Sequence, residues 1–211
     1  YFYLIFSYSL NLPFADDFAQ FDDSIRIIQS TSFSEQFSLL FASHNEHRVA
    51  FTRIAFILSY LLFGEINFRF LIFIGNAALV ALLYLFFKTL KVPRSNLLYF
   101  IPVSTLLFQL SFWKNMTWAV SALQNQYILL FTGLTFYLLS RKSSPAFYTA
   151  FLFAVLSVIT HGGGWVLFFW VGLFYYFIKA TRKVQFGLAG LCFLASFILK
   201  AKPFFCCLSM I

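Results

Sequence analysis

The chain has 211 residues, 61% of them hydrophobic and only 10% charged, with a mean hydropathy of +0.83. A soluble domain is about a quarter charged and cannot hide this much apolar surface in one core. A soluble enzyme, a disordered chain and a coiled coil are excluded. The composition instead predicts an all-α, polytopic transmembrane helical bundle that forms a single domain over 1–211. Fifteen Lys and Arg against seven Asp and Glu give a net charge of +8. The basic residues occur in twos and threes between apolar runs and form no patch, so nucleic acid is not an expected partner; the lipid bilayer is.

A membrane helix needs about 20 mostly apolar residues. In chain order the candidate spans are 1–14, 70–87, 97–113, 125–140, 146–160, 165–178 and a last one near 185–200. The sequence opens and closes within or just after apolar stretches, so both ends read as those of a fragment. Pro13 ends the first span. Segment 15–69 follows as an outer loop, in which Phe18, Phe21, Ile25 and Ile28 have amphipathic helical spacing. Phe51, Ile54, Ala55, Leu58, Leu61 and Leu62 repeat that pattern. The run Phe51–Phe63 is too short to span comfortably and is read as lying in the interface. With that run not crossing, the basic clusters Lys88/Lys91/Arg94, Arg141/Lys142 and Lys179/Arg182/Lys183 all fall inside. Segment 15–69, Lys114–Gln124 and His161–Gly164 then fall outside. Lys200 and Lys202 are the exceptions.

All seven acids lie in the outer loop: Asp16, Asp17, Asp22, Asp23, Glu35, Glu46 and Glu65. Asp16 and Asp17 could act as a general base toward an acceptor hydroxyl or amine, or hold a divalent cation. Alternatively, Asp16 caps the following helix and Asp17 favours its positive end. Asp22 and Asp23 come about two turns later, on roughly the same face. In "HNEHR", a helix would put His44, His47 and Arg48 on one face, a set suited to phosphate oxygens, with Glu46 between them. The other reading is a solvated interfacial turn. Zinc-protease spacing is absent. Arg53 and Arg69 are read as snorkelling to headgroups, and Glu65 as pairing with Arg69.

Later signals are sparser. "HGGGW", His161 to Trp165, reads as a tight turn between spans or as a glycine loop whose amides hold an anion. Trp113 and Trp118 read as aromatic-belt anchors, and Gln124, Asn125 and Gln126 as residues entering a span. Asn115-Met116-Thr117 matches a glycosylation sequon. Cys192, Cys206 and Cys207 fit no zinc ligand set, and neighbouring cysteines are poor disulfide partners. No metal site is expected from these spacings.

The segments "ADDF" (Ala15 to Phe18) and "LLFGEINFRFLIFIGNAALVALLYLFFKTL" (Leu61 to Leu90) resemble the GT-C superfamily of membrane glycosyltransferases, in particular the protein mannosyltransferase and aminoarabinose transferase-like group. The resemblance covers about the first 95 residues. It implies transfer of a sugar from a polyprenyl-phosphate donor to an acceptor at the outer membrane face. It implies that Asp16 and Asp17 are the catalytic carboxylates, with the bacterial inner membrane as the favoured location. At "HNEHR" the family has a His-Pro-Pro-Leu-like segment, to which only His44 corresponds. Substrate binding would fall to His44, Glu46, His47, Arg48 and His161, with His44, His47 and Arg48 meeting the phosphate. The alternative from another class is a transporter or channel subunit, for which Asn76 and Gln109 are the best polar candidates within spans.

Overall fold

The structure, a computed structural model, describes residues 1–44, 47–90, 97, 98, 100–141 and 143–181, with the backbone alone for 47, 48 and 174–181. The span expected near 185–200, the three cysteines and Glu46 lie outside the described residues. The chain is mostly helical. Its helices are α1 (Phe2–Tyr8), α2 (Asp17–Gln29), α3 (Phe33–Leu40), α4 (Ala50–Phe63), α5 (Phe68–Leu90), α6 (Ile101–Leu107), α7 (Trp113–Met116), α8 (Ala119–Leu139), α9 (Ser144–Thr160) and α10 (Gly164–Thr181). Two short strands, β1 (Ser43–His44) and β2 (His47–Arg48), pair between α3 and α4. Residues 1–171 form one compact unit, and a second begins at Gly172, partway along α10.

Among the described residues, α5 alone is both long and apolar enough to cross a membrane. Its 23 residues rise about 34 Å, which exceeds the ~30 Å hydrocarbon core. Helix α8 matches it in length but enters through Gln124, Asn125 and Gln126. Helices α4 and α9 are apolar but shorter. Two expected spans look different from the reading above. The first keeps helix only over Phe2–Tyr8, and the run 97–113 breaks into α6 and α7 around a turn at Phe108–Phe112. Pro102 starts α6, but that helix buries none of its residues, so nothing extends it past one or two turns.

The start of α5 shows why helix begins where it does. Asn67 Oδ1 accepts the Phe70 amide at 3.0 Å, a side-chain N-cap. Asn11 Oδ1 accepts the Phe68 amide at 2.7 Å, so the stretch after α1 satisfies a second orphan donor. From this start α5 runs parallel to α8. The fit depends on Gly75, where an added Cβ would come within 2.8 Å of the Ala122 carbonyl carbon. Leu71, Ile72, Phe56, Leu123 and Ile5 fill the core at this end. Helix α9 packs along α8, where Thr135 Oγ1 of α8 donates to Phe131 O of its own helix at 2.7 Å and to Ala150 O of α9 at 3.4 Å. Leu167 and Val171 of α10 then pack on Ala150 and Ala154 of α9.

The two amphipathic helices of the segment 15–69 turn their polar faces inward. Helix α2 buries Asp17, Gln20, Ser24 and Ile27, while Phe18 stays 60% exposed. Helix α4 buries Thr52, Arg53 and Ser59 beside Ala50, Ala55 and Phe56, and exposes Ile54, Leu58, Leu61 and Leu62. In water this arrangement would be unfavourable on both faces. Against lipid the outer face is at home.

Candidate functional site

Ala15 precedes the acidic pair with φ 49°, a left-handed conformation that costs a Cβ-bearing residue about 1–2 kcal/mol. The turn it makes separates the two aspartates. Asp17 points inward and is 1% exposed, while Asp16 faces out. Asp17 Oδ1 accepts the Val120 amide at 2.8 Å and Trp118 Nε1 at 3.1 Å; Oδ2 accepts the Phe14 amide at 3.1 Å. Trp118 is the N-cap residue of α8 and has no side-chain oxygen to offer, so Asp17 caps α8 from 103 positions away. Phe14 packs edge-on against Trp118, 5.7 Å between ring centres. Burial pushes the Asp17 carboxyl up to about 6, against amide and indole donors from Val120, Phe14, Trp118 and Ala119 that pull it down.

Three sequence readings change here. Asp16 stands at the N-cap position of α2 but makes no side-chain cap bond, so it does not cap its own helix. Trp118 is tied to Asp17 and so serves a carboxylate as well as any aromatic belt. The four aspartates also do not share one face. Asp22 is exposed, and Asp23 Oδ2 accepts Arg53 Nη2 at 2.6 Å. A divalent cation would find both oxygens of Asp17 occupied by N–H donors. Among the described residues no group of three His, Cys, Asp or Glu is placed to hold a metal.

Arg53 does not snorkel. It is 1% exposed, and besides Asp23 it donates Nη1 to the carbonyls of Ala42 at 2.6 Å and Leu40 at 3.2 Å. One guanidinium therefore joins α2, the end of α3 and the entry to the hairpin. No local sequence signal marks this role, because the partners lie 11 to 30 positions away. Arg69 donates to Ser9 O at 2.9 Å, and it forms no ion pair with Glu65.

The described residues of "HNEHR" lie in paired strands and not on a helix. His44 stands opposite His47 and Ser43 opposite Arg48, so the expected helical face of His44, His47 and Arg48 does not form. Strand β2 packs on α9. At the C-terminal end of α9, His161 is the C-cap residue and its Nδ1 accepts the Gly163 amide at 3.1 Å. The three glycines make a tight turn into α10. Gly164 cannot carry a side chain, since a Cβ would lie 2.4 Å from the Ser157 carbonyl.

One feature of the interior bears on ligand chemistry. Among the described residues, every buried side-chain polar atom without a hydrogen-bond partner belongs to α2, β1, α4 or α9. These atoms are Gln20 Nε2 and Oε1, Ser24 Oγ, His44 Nε2, Thr52 Oγ1, Arg53 Nε and Ser157 Oγ. Helices α2 and α4 pack together, and α9 packs on α4 and on β2. None of these atoms belongs to α5 or α8. Asn76, for example, donates to Met116 O at 2.7 Å and Ile72 O at 2.8 Å and accepts Tyr1 Oη at 2.5 Å. Asn76 is thus a staple between segments, and Gln109 is exposed and accepts Ser111 Oγ at 3.1 Å.

In comparisons with known proteins the chain matches no family model, no curated protein and no solved structure. Fold and site place it in a broad class: a mostly helical protein with, among the described residues, one helix long and apolar enough to cross a membrane, and with unpaired buried polar atoms on the helices of segment 15–69 and on α9.

Proposed function

We propose that this chain is the membrane-embedded part of a glycosyltransferase that moves a sugar from a polyprenyl-phosphate donor to an acceptor at the outer membrane face. One observation carries the reading. The exposed carboxylate of Asp16 is held beside a buried structural one, on the same set of elements that holds the interior's unpaired donors and acceptors. A sugar is recognised by such paired donors and acceptors, because each of its hydroxyls both gives and takes hydrogen bonds.

The chemistry divides between the two aspartates. Asp16 takes the proton from the acceptor hydroxyl or amine as that group attacks the anomeric carbon. The bond from that carbon to the phosphate oxygen breaks, and the polyprenyl phosphate leaves with the electron pair. His44, His47 and Arg48, with His161, are the groups proposed to meet the developing phosphate charge; Glu46 belongs to the same segment. Asp17 holds α8 and the turn that presents Asp16. The molecule is multi-pass in this reading, with segment 15–69 outside and the bacterial inner membrane as its location.

The test uses the full-length protein in membrane vesicles, with polyprenyl-phosphate mannose and polyprenyl-phosphate aminoarabinose as labelled donors. Asp16→Asn should reduce transfer at least about 100-fold, the usual contribution of a positioned base, at unchanged membrane yield. Transfer at the wild-type rate in that variant sinks the assignment.

A further inference from the structure

We propose that the groove between α5 and α8 binds an acyl chain of an anionic phospholipid, with the headgroup held by Lys88 and Arg141. The groove has a volume of about 410 Å³ and is walled by Leu82, Leu85 and Phe86 of α5 and Leu129, Gly133 and Phe136 of α8. That is within the usual range for a bound organic molecule. The lining is almost wholly apolar, so a hydrocarbon chain fits it and a sugar does not. From Leu129 to Ser140, α8 rises about 16 Å, close to half of the ~30 Å hydrocarbon core. The groove therefore has the length of one leaflet.

Its polar end names the headgroup. Thr89 and Ser140 line the groove there, and each hydroxyl already donates to a carbonyl of its own helix, at 2.8 and 2.7 Å. The next residues are cations. Lys88 lies over the Tyr84 ring with its Nζ 5.4 Å from the centroid, and Arg141 stacks 4.8 Å over Tyr137, another groove residue. Arg141 also donates Nη2 to the Tyr137 hydroxyl. Both cations are exposed and neither has an acidic partner, because every acid of the chain lies between Asp16 and Glu65. Neither cation lines the slot itself, but each neighbours a residue that does, Thr89 and Ser140, and Arg141 stacks on the lining residue Tyr137, so this end of the slot suits a phosphate diester on an acyl tail. This inference rests on the chain being in a bilayer, and it is independent of sugar transfer.

The full chain would be extracted in a neutral detergent and exchanged into nanodiscs of phosphatidylcholine with phosphatidylglycerol at equal amounts. Lipid retained after a second detergent extraction is then weighed by native mass spectrometry. Wild type should retain phosphatidylglycerol in preference to phosphatidylcholine. Each cation is worth roughly fivefold in partitioning, so Lys88→Glu with Arg141→Glu should abolish the preference. Gly133→Leu fills the groove, since even a Cβ there comes within 2.9 Å of Leu85 Cδ2, and should abolish retention of both lipids. Circular dichroism and elution volume matching wild type separate these effects from misfolding; Thr132→Val, which keeps the shape, should retain phosphatidylglycerol. Equal retention of the two lipids by wild type overturns the proposal, as does a dimer that Gly133→Leu disrupts without any lipid being held. A chain recovered in the soluble fraction would overturn the bilayer reading itself, before any lipid was weighed.

Discussion

Asp17 is a carboxylate whose environment pulls two ways. Its oxygens accept three hydrogen bonds that favour charge, yet burial pushes its pKa up to about 6. A raised folded-state pKa means the native state binds the proton more tightly than the unfolded chain does. The resulting stability is full below the ordinary value of 3.8 and is lost as pH rises through about 6. Wild type should therefore lose up to roughly 3 kcal/mol relative to Asp17→Asn between pH 4 and 7. Thermal unfolding of both proteins in one detergent across that range checks the sign, and a difference that is flat or grows with pH refutes it. Asp17→Ala is the harsher change. It strands the Val120 amide, the Phe14 amide and the Trp118 indole, and should cost about 3 kcal/mol at pH 4, a cost that shrinks toward pH 7 because the variant has no carboxyl to titrate. Loss of sugar transfer in an Asp17 variant therefore says little about catalysis. Asp16, exposed and making no cap bond, is the residue whose removal is informative.

At the scale of elements, Arg53 decides how segment 15–69 is built. Arg53→Met would leave Asp23 without its partner and the Ala42 and Leu40 carbonyls without a donor. Because Asp23 keeps 24% of its side-chain surface, the loss should be near the lower end of the usual 3–5 kcal/mol for breaking a buried pair, about 3 kcal/mol. A double-mutant cycle with Asp23→Asn measures it, and additivity of the two single changes would show that no pair energy exists. The cycle also explains what could be read beforehand. Period-3.6 spacing identified α2 and α4, because each keeps an apolar stripe whatever its neighbours are, and apolar length identified α5. It did not say which face of α2 and α4 turns inward, and the apolar faces look outward. The acidic pair was visible in "ADDF", but its division into a cap and an exposed acid was not. That division depends on Trp118 and Val120, a hundred positions on. The helical reading of "HNEHR" failed for a related reason: spacings of three and four fit a helix face, and strand pairing of His44 with His47 leaves no mark in a five-residue string.

At the scale of the whole molecule, charge and polarity impose a direction. Asp17 and Glu65 lie at the end where α5 and α8 begin, and Lys88 and Arg141 lie where those parallel helices finish. Positive residues flank the inner ends of membrane helices, because cationic loops resist translocation. Residues of segment 15–69 should then be reached from outside, and Arg141 from inside. With Cys192, Cys206 and Cys207 replaced by serine, Glu35→Cys should react with an impermeant maleimide added to intact cells. Arg141→Cys should react only after the cells are opened. The first site sits on α3, which buries none of its residues, so a silent cysteine there cannot be put down to packing. Labelling of both sites from outside would mean that α5 and α8 do not cross. Reversal of the two would place Asp16 in the cytoplasm, where a donor presented at the outer face could not reach it.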